Sequence, residues 1–286
     1  MKVGICFLDS HPNLYEAISS FSSVTKSQVK KLGEKKKYWE APIEKGACRD
    51  IPLDALNFLK VNPVCEHQVK VIDETNEFIV LSKPFKCHSH PLKYSDTNNV
   101  LSFIRSKWKD TTLKVNPSHY DRGLLYRLDY ETSGLLIYCK RDFLHKELRE
   151  SFSTLVKEKT YYAVVEGNFA SRSLTHKLIY GGEKNSKAKA MDISHSEGIT
   201  ASLEAKRVDH NQEHNLTLLQ VKLKEGHRHQ IRVQLAAEGT PILGDTLYGA
   251  SEAQRLFLHC YSYSIEGKVF EDPHMDLFEL FFNLNS

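Results

Sequence analysis

The 286-residue sequence predicts an α+β fold, a mixed and largely antiparallel central sheet flanked by helices with a small N-terminal extension in front of it. Three observations carry this. Short segments rich in β-branched and aromatic residues recur from Val69 onward. Helical spacing appears only in isolated stretches between them, and there is no regular β-α-β alternation of the kind a parallel sheet needs. The earlier part of the chain differs in texture, which divides it into an extension over 1–65 and a main domain over 66–286.

The extension carries an apolar and serine segment, Leu14 to Val24, then a cluster of Lys26, Lys30, Lys31, Lys35, Lys36 and Lys37, then the irregular stretch APIEKGACRDIPLDAL. In the main domain, VKVIDE (69–74) and EFIVLSK (77–83) suit half-buried pleated strands, and GLLIYCK (134–140) suits a buried one. DFLHKELRESF sets Leu144, Leu148 and Phe152 on one helical stripe, with Asp142 available as N-cap. KTYYAVVEG (159–167) and NLTLLQVKLKEG (215–226) are strands. HRHQIRVQLAAEG (227–239) has helical spacing, with Ile231 and Leu235 one turn apart and Gly239 as a C-terminal stop. RLFLHCYSYSI (255–265) and LFELFF (277–282) return to strand patterning.

Composition narrows the classes of function. The six cysteines, Cys6, Cys48, Cys65, Cys87, Cys139 and Cys260, include no C-x-x-C pair and no zinc-finger spacing. Neither a disulfide framework nor a structural metal site is expected, and the compartment is read as reducing and cytoplasmic. No apolar run is long enough to span a bilayer, so no membrane partner is expected. A net charge of only +3 does not announce a nucleic-acid partner, because phosphate binding depends on local clusters. Two clusters exist: the N-terminal lysines, which are either a solvated face or a phosphate-binding one, and the group His227, Arg228, His229 and Arg232.

The most informative segment is Tyr126-Arg127-Leu128-Asp129-Tyr130-Glu131-Thr132-Ser133-Gly134-Leu135-Leu136, which gathers charged and small polar residues at a strand entrance. By itself an Arg-x-Asp pair before a Thr-Ser-Gly turn is either a loop ion pair or a catalytic centre. The segment resembles the signature of the RluA family of pseudouridine synthases, His-Arg-Leu-Asp, two variable residues and Thr-Ser-Gly-Leu, with Tyr126 in place of the histidine. Four further segments match in order: FIVLSKPFKCHSHP, EKTYYAVVEG with its Lys-x-Tyr-x-Ala pattern, GHRHQIRVQLAAEGTPILGDTLYG, and RLFLHC. The resemblance covers roughly residues 69 to 265, and ordered matches over separated segments are far more specific than one motif.

The resemblance implies a pseudouridine synthase fold and an isomerase acting on uridine in ribosomal RNA or tRNA. It implies Asp129 as the catalytic aspartate, Tyr161 as the active-site tyrosine and Arg232 as the basic partner of that aspartate. Chemistry is consistent with each. The reaction breaks C1′–N1, turns the base and forms C1′–C5, so a carboxylate near C1′ can act as nucleophile, base or stabiliser of positive charge. A guanidinium within reach favours the ionised form of a half-buried carboxylate, although an arginine on a helix surface is the plain alternative. Tyr161 offers a face to stack on the base and an oxygen near C5, or is simply a buried strand tyrosine; strand alternation sends Tyr162 to the opposite face. The target base must leave its stack, and the resemblance implies Arg127 as the candidate to fill the gap, a role its planar cation suits. Lys83, Arg228 and His229 are candidates for contact with the RNA backbone, with His88 and His90 weaker ones.

No metal and no organic cofactor are expected, since the isomerisation involves no net redox change and no group donor, and a monomer is expected. Three positions depart from the family pattern: Tyr126, His227 for arginine and Gln234 for histidine. They motivate an alternative, a catalytically inactive RNA-binding or RNA-folding factor on the same scaffold. A third possibility, a glycoside hydrolase, would need Glu131 as a second carboxylate. The segment SSVTKSQVKKLGEKKK is similar to the helix of an S4 RNA-binding module but is interrupted by Gly33, so the extension is either a degenerate S4-like module or a separate arm.

Overall fold

The computed structural model describes residues 1–22, 24–29, 32–56, 61–65, 67–108, 114–117, 119, 121–151, 156–181, 187–223, 225–265 and 267–274. The strand expected over 277–282, Phe152 of the helical stripe, and Lys30 and Lys31 lie outside the described residues. The chain forms two compact units, Met1–His67 with His90–Arg122, and Gln68–Ser89 with Gly123–Ser286.

In the first unit, strand β1 (Lys2–Cys6) pairs antiparallel with β2 (Cys48–Pro52), around helices α1 (Leu14–Ser22), α2 (Lys26–Val29), α3 (Lys36–Trp39), α4 (Leu53–Leu56) and α5 (Val100–Trp108). Asn13 and Glu16 cap α1 reciprocally: the Glu16 amide donates to Asn13 Oδ1 at 2.8 Å while Asn13 Nδ2 donates to Glu16 Oε1 at 3.0 Å. Phe7, Leu14, Ile18, Trp39, Ile43 and Ile51 form the centre of a core of their own. Asp54 holds the later segment to the earlier one, accepting from the Ser95 amide at 2.7 Å and the Ser95 hydroxyl at 3.1 Å.

The expectation of no disulfide is corrected here. Cys6 and Cys48 stand directly opposite in the β1–β2 register and are joined by a disulfide, with Cα atoms 4.0 Å apart. Strand pairing brings together two thiols 42 positions apart, a proximity that no local spacing pattern encodes.

The second unit is built on one ten-stranded sheet. Its strands are β3 (Lys70–Glu74), β4 (Phe78–Lys83), β5 (Ser133–Cys139), β6 (Val156–Glu166), β7 (Arg172–Tyr180), β8 (Ala188–Met191), β9 (Ile199–Asn211), β10 (Leu216–Leu223), β11 (Leu258–Ile265) and β12 (Lys268–Glu271). Their order is β3-β4-β5-β11-β6-β10-β9-β7-β8, with β12 beside β11. Among the described residues only the β5–β11 pairing is parallel, so the largely antiparallel expectation holds. β7 to β9 were not anticipated. In β9, buried Ala201, Leu203 and Ala205 alternate with exposed Ser202, Glu204 and Lys206, a two-residue period written in residues of poor strand propensity.

Helices α6 (Asp142–Glu150) and α7 (Gln230–Ala237) fall where helical spacing placed them. Asp142 is the first helical residue rather than the cap, which is Arg141 with an extended backbone and no side-chain capping bond. The Asp142 carboxylate lies in the first turn, where its charge favours the helix N-terminus. β4 and β5 are buried along their whole length, which makes the junction of β5 with β11 a rigid base for the loop preceding β5. Gly134 is essential at that junction: its φ is +116°, and a Cβ there would lie 2.2 Å from the Cys260 carbonyl oxygen.

Candidate active site

The loop Tyr126–Thr132 enters β5 and is held from three directions. The Ser89 hydroxyl bridges the backbone of Leu128, accepting from its amide at 3.0 Å and donating to its carbonyl at 2.9 Å. The Tyr126 hydroxyl donates to the Leu135 carbonyl at 3.0 Å. The Lys83 ammonium donates to the carbonyls of Pro84, Cys87 and Tyr130 at 3.0, 2.8 and 3.3 Å. Within this loop Leu128 is buried, Arg127 is exposed, and the Asp129 side chain keeps 30% of its surface.

Lys83 thus corrects an expectation. It was placed at the RNA backbone, yet its relative exposure is 0%. Burial pushes its pKa down to about 8, opposed by the charges of Cys87, Asp129 and Glu131. Its three donors are spent tying the loop after β4 to the loop before β5, and none reaches solvent.

α7 brings Arg232 to Asp129. Arg232 is almost fully buried and grips Asp245 in a bidentate pair, Nε to Oδ2 at 2.7 Å and Nη2 to Oδ1 at 2.8 Å. Its remaining nitrogen, Nη1, faces Asp129 Oδ2 at 3.7 Å and Glu131 Oε2 at 3.8 Å. Burial alone would lower the arginine's pKa, but the Asp245 hydrogen bonds and the charges of Asp245, Asp129 and Glu131 outweigh it and the net direction is upward. Asp245 itself is held in place by Gly244, at φ +81°, where a Cβ would meet the Arg255 carbonyl oxygen at 2.0 Å. His229 joins the same group with Nε2 3.8 Å from Asp129 Oδ2, while Arg228 beside it is exposed.

Tyr161 belongs to a neighbouring aromatic group. Its hydroxyl lies 3.3 Å from that of Tyr263, and Tyr263 is stacked on Tyr126 with centroids 3.9 Å apart and planes within 7°. Burial, then the nearby Cys260 thiol and Tyr263, push the Tyr161 phenol well up, so it is neutral at ordinary pH. Tyr162 is turned to other partners, accepting from Gln220 Nε2 at 3.0 Å and meeting Tyr261 edge-on. His88 rests against Tyr130 at 4.5 Å between ring centroids, and His90 Nδ1 lies 3.0 Å from the Pro91 carbonyl.

The structure brings Asp129, Arg232 and His229 together and sets Tyr161 beside Tyr126 of the same loop. Sequence reasoning gave no role to Asp245, Tyr248 or Tyr263. The Gly-Asp-x-x-Tyr-Gly stretch carried the signal for the first two; nothing local carried it for Tyr263. Two of the three departures from the family pattern have side-chain partners: Tyr126 stacks on Tyr263, and Gln234 Nε2 donates to the Ala201 carbonyl at 3.1 Å while its Oε1 is buried without a hydrogen-bond partner. A second polar chain, Ser133 Oγ to His259 Nδ1 at 2.9 Å and His259 Nε2 to Asp272 Oδ2 at 3.5 Å, has hydrolase-like residue types but is buried throughout, and its serine oxygen accepts from Arg255.

Comparison with known proteins bears on the family and the fold. Ribosomal large subunit pseudouridine synthase D of Borreliella burgdorferi is 30% identical over 200 residues, covering 69% of this chain and 60% of that protein. Ribosomal large subunit pseudouridine synthase C of Rickettsia felis is 31% identical over 166 residues, covering 56% of this chain and 54% of that protein. The chain thus spans well under two thirds of the length of either relative. Among solved structures, human RNA pseudouridylate synthase domain containing 1 matches with a TM-score of 0.58 at 15% identity, over 72% of this chain and 82% of that one, a likeness of fold. The RNA pseudouridylate synthase family model matches residues 77–237, more than half of the chain, and the chain belongs to that family.

Proposed function

We propose that this protein isomerises uridine to pseudouridine in RNA, with Asp129 as the essential carboxylate. The observation that carries the reading is the asymmetric pairing of Arg232. Two of its nitrogens are saturated by buried Asp245, and the third is aimed at a carboxylate that remains open to a ligand. Asp129 is then in place to act at C1′ while the guanidinium favours its ionised form. Tyr161, a buried neutral phenol, suits a stacking face for the turned base better than a free base. Exposed Arg127, two residues before Asp129, suits the side chain that fills the gap left by the flipped nucleotide, and exposed Arg228 suits a phosphate contact. The lysines of the N-terminal unit would add phosphate contacts that weaken as salt rises.

Both named relatives are ribosomal large-subunit enzymes by name, which makes large-subunit ribosomal RNA the first substrate to test and tRNA the second. None of the three atypical positions replaces Asp129, Tyr161 or Arg232, and this favours an active enzyme over an inactive RNA-binding factor. The test is incubation of purified protein with RNA from a strain lacking this gene, followed by chemical mapping of pseudouridine. New modified sites with the wild type and none with Asp129→Asn are expected. Equal rescue of a deletion strain by the two proteins would instead establish the non-catalytic alternative.

A further inference from the structure

His229 has a conformation and a set of partners that a phosphate contact does not require. Its backbone is left-handed, with φ 55° and ψ 18°, an unfavourable region for a residue with a Cβ. The turn that imposes it is closed by the Gln230 amide donating to the His227 carbonyl at 3.0 Å and by the His227 amide donating to Gln230 Oε1 at 3.1 Å. The imidazole is only 12% exposed and stands edge-on to Tyr248, with centroids 5.7 Å apart. The Tyr248 oxygen accepts from the Ala188 amide at 3.1 Å and lies 2.9 Å from His229 Nδ1. The Ala188 amide occupies one lone pair of that oxygen; where the phenol directs its own proton to Nδ1, the neutral imidazole carries its proton on Nε2. That nitrogen faces Asp129 Oδ2 at 3.8 Å.

We propose that His229 is a positioning residue for Asp129: the Ala188–Tyr248–His229 chain fixes the tautomer that turns a neutral N–H toward Asp129 Oδ2. The inference rests on the reading of Asp129 as the essential carboxylate. Arg232 Nη1 faces the same Oδ2, so both donors converge on one oxygen and leave Oδ1 as the oxygen presented to the ribose. The 3.8 Å separation is longer than a hydrogen bond and closes when a nucleotide presses the carboxylate inward. Burial lowers the His229 pKa, as do the charges of Arg232 and Arg228, while Asp129 and Asp245 oppose them, and the net direction favours the neutral ring that the chain of donors requires.

Two measurements on the full chain test this. The first is nitrogen-15 NMR of the histidine rings, with the His229 signals assigned by their loss in His229→Asn. A neutral ring protonated at Nε2 is expected, and Tyr248→Phe should disturb that preference; a ring protonated at Nδ1 overturns the proposal whatever the enzyme's activity. The second is single-turnover pseudouridine formation on large-subunit ribosomal RNA and pooled tRNA transcribed in vitro. His229→Ala should slow the reaction about tenfold to a hundredfold with RNA affinity within about twofold, the scale of a misplaced reacting group. His229→Asn, which tolerates the left-handed backbone and retains an N–H donor, should recover much of the loss. Weakened RNA affinity at an unchanged rate, or no effect at all, overturns the proposal. A wild type that forms no pseudouridine on any RNA counts against the proposed function, and the ring tautomer then decides the positioning claim by itself.

Discussion

Two polar networks flank the short stretch from Asp129 to Ser133 and put similar residue types to opposite uses. Around Arg232 the network is open on one side: Asp245 is gripped at 2.7 and 2.8 Å, while Asp129 and Glu131 stand off at 3.7 and 3.8 Å with surface exposed. Around Ser133 the network is enclosed: Arg255, Ser133, His259 and Asp272 are all buried, Ser133 Oγ meets His259 Nδ1 and accepts from Arg255, His259 Nε2 faces Asp272 Oδ2 at 3.5 Å, and Asp272 Oδ1 accepts from the His274 amide. A serine, a histidine and an aspartate in sequence-distant alignment therefore brace the β5–β11 junction, whereas a less conspicuous aspartate at a strand entrance has what a reacting group needs. The difference teaches that residue type does not mark a site; an electrostatic arrangement left incomplete toward solvent does.

The comparison breaks or sharpens by substitution. The largest effect is expected at Asp129, where Asp129→Asn should reduce pseudouridine formation by roughly a thousandfold or more, about 4 kcal/mol of barrier. Because the group is half exposed, the melting temperature should stay unchanged. Asp245→Asn should act on both quantities. It strips a buried guanidinium of its counter-charge, so denaturant unfolding should show a loss of roughly 3 to 4 kcal/mol, and activity should fall because Arg232 no longer holds its angle. In the closed network, Asp272→Asn should cost about 1–3 kcal/mol of stability while each folded molecule keeps its activity within about twofold. A collapse of activity there without loss of stability would end the distinction between the two networks.

The most diagnostic effect is a pH dependence at Lys83, which feels Asp129 and Glu131 from one network and Arg255 from the other. Its folded pKa is about 8 against an ordinary 10.5, so between those values the unfolded chain binds more protons than the native one. Stability should therefore rise with pH from about 8 toward 10, at up to about 1.4 kcal/mol per pH unit, as the cost of a buried ammonium is relieved. Above that range the buried phenols of Tyr126, Tyr161 and Tyr263, held neutral in the fold, act in the opposite direction. Lys83→Met should abolish the rise, measured as urea midpoints across the pH series.

The legible part of the site is the part written in contiguous motifs. Asp129 and Arg232 are identified by their neighbours, and α7 by the one-turn spacing of Ile231 and Leu235 with Gly239 behind it. Gly134 and Gly244 are intelligible only with coordinates, since each is demanded by a carbonyl more than ten positions away, at Cys260 and Arg255. Lys83 is an internal group that the sequence does not reveal, because lysines are rarely buried and the residues around it do not show the three carbonyls that accept its hydrogen bonds. Cys6 and Cys48 carried no spacing signal, and β7 to β9 were hidden by lysine, glutamate and alanine on a strand whose alternation was nevertheless present.

By itself, the sequence determined the class of fold and the order of the family segments, and it named the carboxylate and the guanidinium to test. Only the tertiary structure decided that Lys83 is an internal brace, that Asp245 holds Arg232, that Tyr263 backs Tyr161, and that His229 faces Asp129 from a left-handed turn. The physical reason is range. Periodicity, turn chemistry and motifs are properties of neighbouring residues, whereas burial, pairing and pKa depend on which distant segments the sheet brings within a few ångströms.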